Sequence, residues 1–199
     1  MIDLPKKITV SRIPYDVVQT DNQYTYECLT TNQVIGINKD LNIQKKRQYI
    51  FWEIAHLMLS AAGLSEKESE EYHRSFGNVL YCFIRQNNTS WAICEEKPTE
   101  VYLNGIRYTI EIGDVDELKN EDLGGRIKYD EAKIMLLKTI KPDIFRYVLA
   151  HECTHGLLFE GAIGDLSERE EFVEALSWHV LYFLQDNLTT LFQKGEQTL

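Results

Sequence analysis

Displaced by 99 residues, the chain runs alongside itself: Ile35 meets Ile134, Lys39 meets Lys138, Arg47 meets Arg146, Glu53 meets Glu152, His56 meets His155 and Leu59 meets Leu158. One further residue in a loop brings Glu70 opposite Glu170, Phe83 opposite Phe183 and Asn87 opposite Asn187. Self-similarity at this spacing reads as a tandem duplication of one supersecondary unit, the alternative being that two amphipathic helix pairs resemble each other without common origin. The unit reads as α+β, a small antiparallel sheet followed by two helices, in tandem over residues 1–94 and 95–199.

Within the first unit, short β-rich runs at residues 8–10, 15–18, 24–26 and 33–37 are separated by Asp, Asn and Thr clusters and read as strands. Apolar residues then recur at helical spacing over 45–62, with Gly63 as a stop, and again over 65–87. A polar connection spans 88–100, with Trp91 and Ile93 expected to be buried. The second unit repeats the order. Strands are expected over 101–112, 124–128 and 133–138, with an acidic turn region at 113–122. A helix opened by Pro142 and Asp143 is stopped by Gly161, and a last helix runs over 167–192.

The first helix of the second unit carries His151, Glu152 and His155 in the order His-Glu-x-x-His. Residues four apart on a helix lie one above the other, so two imidazoles can converge on one metal ion, and zinc suits that pair. Glu152 follows the first ligand directly, which places a carboxylate where it can take a proton from a bound water. In the first unit the matching segment is Trp52-Glu-Ile-Ala-His56. Its indole N–H is a donor only and cannot ligate, so that copy is expected to be metal-free.

A catalytic zinc takes a third protein ligand and leaves one position open. Glu168, Glu170, Glu171 and Glu174 lie on the following helix. At about 100° per residue Glu170 borders its apolar face and Glu174 lies a turn further and farther out. Ser167-x-x-Glu170 is also a capping box, which would turn Glu170 to the backbone and leave Glu174 as the ligand. His73 and His179 read as surface histidines. Tyr147, Tyr182 and His179 are candidate oxyanion donors. If residues 133–138 form a sheet edge, an extended peptide can pair there.

A formal net charge of −10 argues against a nucleic-acid backbone or an anionic membrane as partner. The four cysteines show no metal or redox spacing and read as reduced thiols. Together with the lack of an apolar leader or spanning run, this points to the cytoplasm.

The motif, followed by Glu170-x-x-Val-Glu-Ala-Leu-Ser177, resembles the zincins whose third ligand is a downstream glutamate, and among them the ImmA/IrrE-type metallopeptidases of phages and mobile elements. The resemblance covers residues 101–190 and, less closely, 8–87. It implies Glu170 as ligand, Glu174 as its supporting residue, and a zincin-like unit with the second copy active. Glu174 stands where the family usually has Asn or Asp, and no helix-turn-helix precedes the unit. The function implied is a zinc-dependent peptidase acting on a protein or peptide through a zinc-activated water. The alternative is a non-catalytic module that binds or inhibits a protein on the same fold.

Overall fold

The computed structural model describes residues 4–21, 26–114, 118 and 124–191. The chain is α+β, with two four-stranded sheets and five α-helices among the described residues. The first sheet comprises β1 (Lys7–Val10), β2 (Ile13–Thr20), β3 (Tyr26–Leu29) and β4 (Val34–Asn38), in the order β1-β2-β4-β3. Helices α1 (Ile43–Ala61) and α2 (Glu66–Gln86) follow. The second sheet comprises β5 (Glu100–Leu103), β6 (Ile106–Gly113), β7 (Gly125–Lys128) and β8 (Lys133–Leu137), in the order β5-β6-β8-β7. It is followed by α3 (Pro142–Glu160), the single turn α4 (Gly164–Ser167) and α5 (Glu170–Leu191). Of the expected elements, Tyr24, most of the acidic turn region 113–122 and Phe192 lie outside the described residues.

Both sheets are mixed rather than antiparallel, because β2 pairs with β4, and β6 with β8, in parallel. The reason lies in β4 and β8. Their central residues are all buried, including Ile35 and Ile37 in one and Ile134 and Leu136 in the other. A strand apolar on both faces is placed best inside a sheet, flanked on each side. Each inserts between the two strands that precede it in its unit and runs parallel to the earlier one. The remaining pairs are antiparallel, and β1–β2 and β5–β6 are closed by two-residue turns at Ser11-Arg12 and Asn104-Gly105 with positive φ at both positions, the geometry that matches strand twist.

Helix α1 packs on the first sheet and α3 on the second, with α2 beside α1 and α5 beside α3. Across these pairs the two halves reach into each other. Asn87, at the end of α2, donates through Nδ2 to the carbonyls of Phe83 and Tyr102, both at 2.8 Å, and accepts from the Tyr102 amide at 2.6 Å. Asn187, in α5, donates to the carbonyls of Phe183 at 2.8 Å and Thr9 at 2.7 Å and accepts from the Thr9 amide at 2.9 Å. Each asparagine thus ties the last helix of one half to the first strand of the other. The turns repeat the exchange: Arg12 pairs with Asp186 and lies over the Tyr182 ring, while the Gly105 amide donates to Gln86 Oε1 at 3.1 Å. In the connection between halves Trp91 is buried as expected, whereas Ile93 is 51% exposed. Among the described residues no helix is long and apolar enough to cross a membrane.

Candidate metal centre

Helix α3 begins with Pro142 at its N-terminus and ends at Gly161, which places His151, Glu152 and His155 in its middle turns, all held by tertiary packing. Its lower half comes unusually close to the second sheet. A Cβ on Gly156 would stand 2.3 Å from Leu103 Cδ1, and one on Gly125 of β7 would stand 2.5 Å from Val148 Cγ1 and 2.8 Å from Glu152 Oε1. Two glycines therefore allow the backbone approach that brings Glu152 against β7, and both His151 and Glu152 are buried, 3% and 4% exposed.

Glu170, the first residue of α5, meets both imidazoles. Its Oε1 lies 2.9 Å from His151 Nε2 and its Oε2 lies 3.3 Å from His155 Nε2, while the two Nε2 atoms are 3.1 Å apart. Among the described residues these three form a His/Cys/Asp/Glu group whose ligand atoms lie close enough together to hold one metal ion. Ligands bound tetrahedrally at zinc distances are separated by about 3.3 Å; the Nε2–Nε2 separation and the contact from each imidazole to its own Glu170 oxygen each lie within about half an ångström of that. His155 Nδ1 donates to the Ser167 carbonyl at 3.0 Å, which fixes the tautomer with a free Nε2 lone pair turned inward. Burial drives the pKa of His151 down to about 4 and lowers that of His155 as well, more than Glu170 offsets. Both rings are neutral at pH 7, the state in which imidazole ligates.

Ser167 does not form the capping box, because it belongs to α4, where its hydroxyl donates to the Gly164 carbonyl at 2.7 Å, and α5 begins only at Glu170. That interaction is instead found at Ser65 and Glu68, where α2 begins. Glu170 is thereby left to face the histidines. Glu174 is exposed one turn along α5, outside the three-residue group; burial first, and then the charges of Glu174 and Glu170, raise the pKa of Tyr147.

Of the proposed oxyanion donors, Tyr147 lies nearest. Its ring centroid is 6.1 Å from that of His151 and stacks on Trp178 at 4.2 Å, and its hydroxyl is buried without a partner. Tyr182 is engaged under Arg12, and His179 interacts with the Ala61 backbone. His73 is buried rather than on the surface, with Nδ1 donating to the Glu70 carbonyl at 2.7 Å. A residue that spacing did not single out is Tyr129, in the turn after β7. It stacks on Phe159 at 4.0 Å and hydrogen-bonds to the Ser167 side chain. Burial, together with the charges of Glu152, Glu160 and Glu170, pushes its pKa up to about 12, so its hydroxyl is protonated at neutral pH and donates to Ser167 Oγ, whose own proton goes to the Gly164 carbonyl. Strand β8 is interior to the sheet, and the strand at the end of the order beside Glu152 is β7.

In the first half the matching positions hold Trp52, Glu53, His56 and Glu70. Trp52 donates to Asn78 Oδ1 at 2.9 Å, and the guanidinium of Arg74, in the place of Glu174, lies 5.2 Å over its ring. An indole and a fixed cation thus stand where the second half has an imidazole and a carboxylate. No protein-family model, curated protein or solved structure matches the chain.

Proposed function

We propose that the chain is a zinc-dependent metallopeptidase built from a duplicated zincin-like unit, in which the second copy is active and the first has lost its metal. The reading rests on one observation above the others: His151 Nε2 and His155 Nε2 stand 3.1 Å apart and the Glu170 carboxylate meets both, Oε1 at 2.9 Å from the first and Oε2 at 3.3 Å from the second. The duplication is supported by the shared strand order and pairing senses of the two sheets. It is supported also by the matched bonds of Asn87 and Asn187.

His151, His155 and Glu170 would hold the ion, which when bound acidifies a water and polarises a scissile carbonyl. Glu152 accepts the proton of the attacking water at its carboxylate and delivers it to the leaving amine nitrogen. Tyr147, whose buried hydroxyl has no partner and whose ring lies beside that of His151, would donate to the developing oxyanion. An extended peptide pairing with β7 would run past Glu152, which assigns to β7 the role that sequence reading gave to residues 133–138. Two imidazoles and a carboxylate also suit ferrous iron, and the adjacent carboxylate of Glu152 favours hydrolysis. The partner is a protein or peptide and the setting cytoplasmic.

Elemental analysis of purified protein tests the reading. One zinc per chain is expected, lost in His151→Ala and Glu170→Ala and retained in Glu174→Ala and Glu152→Gln. A chain that takes up no zinc at neutral pH would overturn it. Cleavage of the natural partner lost in Glu152→Gln, with zinc retained, separates the peptidase from a binding module that merely keeps the fold.

A further inference from the structure

The connection from α3 to α5, residues 161–169, does two things for the centre. It presents the Ser167 carbonyl to His155 Nδ1, and it delivers Glu170 at the first position of α5. Glu170 has 65% of its side chain open to solvent, so its place beside the imidazoles depends on where this connection sets the start of the helix.

The connection is held from the first half of the chain. Three residues of α2 meet it in turn. A Cβ on Gly161 would stand 3.4 Å from both methyl carbons of Val79. The Tyr72 hydroxyl donates to Asp165 Oδ2 at 3.0 Å. Glu68 Oε1 accepts from Arg169 Nη1 at 3.4 Å, immediately before Glu170. Glu68 and Tyr72 are four apart and Val79 seven further, so the three share one face of the helix. Glu68 is itself anchored, since its other oxygen accepts from the Ser65 amide at 3.1 Å and the Ser65 hydroxyl at 2.6 Å.

We infer that Glu68 and Tyr72, in the half that lacks its own ligand triad, are positioning residues for the metal centre of the other half. The inference rests on the zinc reading above. It gives the degenerate copy a function: α2 clamps the segment that fixes the His155 tautomer and the third ligand, so the centre is complete only when both halves are present.

Zinc affinity, measured on the full chain by competition with a chromophoric chelator, tests this. The variants are Tyr72→Phe, which keeps the ring, and Glu68→Gln, which keeps the Ser65 capping bonds and removes the charge facing Arg169. Arg12→Gln, which breaks the exposed Arg12–Asp186 pair far from the connection, is the control. The double variant Tyr72→Phe/Glu68→Gln is expected to bind zinc about tenfold more weakly, in the range for groups that orient metal ligands. Its cobalt-substituted visible spectrum should shift, while its metal-free thermal midpoint matches that of the control. A double variant whose zinc affinity stays within about twofold of wild type overturns the inference and leaves the zinc reading standing. A wild-type chain without zinc overturns both.

Discussion

His151 and His155 lie on one face of α3 with their neighbours packed tightly around them, and that burial has a thermodynamic consequence. In the metal-free chain desolvation lowers the pKa of His73, His151, His155 and His179, with His151 reaching about 4. In the unfolded chain each returns to about 6.5. Below that value the unfolded state takes up protons that the folded state refuses. Stability present at neutral pH is therefore lost as pH falls, and the loss levels off once His151 itself protonates near 4. The urea midpoint of metal-free protein should drop between about pH 7 and pH 5, above the range in which ordinary carboxylates titrate. A midpoint flat across that range would show that these imidazoles are not buried in the neutral form. The motif residues were legible in the sequence because an i, i+4 pair on a helix is a local relation. On the helical wheel Glu170 borders the apolar face and competes with the capping box; the short α4 turn, which a wheel does not show, is what sets Glu170 beside both imidazoles. Tyr129 was not legible, since it reaches the site through the pairing of β7 with β8 and the packing of both on α3.

At the scale of the elements, the two helix pairs invite a direct exchange. Aligned on the proposed repeat, Trp52 holds the place of His151 and Arg74 that of Glu174, while His56 and Glu70 keep the types of two ligands. Arg74 over the indole puts a permanent positive charge near the position a metal would take. Removing both obstacles should restore a site: the Trp52→His/Arg74→Glu variant is expected to bind two zinc ions per chain where wild type binds one. Elemental analysis and cobalt titration would read the stoichiometry, and a variant that folds yet still binds a single ion would separate the resemblance of the helices from a true equivalence of sites. The helix boundaries were readable from Pro142, Gly161 and the apolar spacing. Strand direction was not, because alternation reports which face of a strand is buried and is silent on its neighbours. The insertion of β4 and β8 into the middle of their sheets followed from burial on both faces, a property their apolar runs showed without revealing the order.

For the molecule as a whole, the boundary between residues 1–94 and 95–199 divides the sequence more cleanly than it divides the structure. Thr9 and Tyr102 each exchange two backbone hydrogen bonds with an asparagine from the other half, and both asparagines are nearly inaccessible. Removing one half leaves those groups unpaired, at roughly 1–3 kcal/mol for each buried group that water does not reach, and exposes the apolar faces where α2 meets α3 and α1 meets α5. Domain stabilities of about 5–15 kcal/mol cannot absorb several such losses together. Residues 95–199 expressed alone should therefore fail to form a cooperative fold, although they contain every proposed ligand. Coexpressed with residues 1–94, cut within the polar connection, they should reassemble into a one-to-one complex that binds zinc, because the reciprocal contacts do not require the covalent link. Size-exclusion chromatography, circular dichroism and zinc content of the single and paired fragments measure this. A lone second half that is folded and zinc-bound would show that the first half is an appendage; recovery only on pairing would show that the two halves form one cooperative body around one centre.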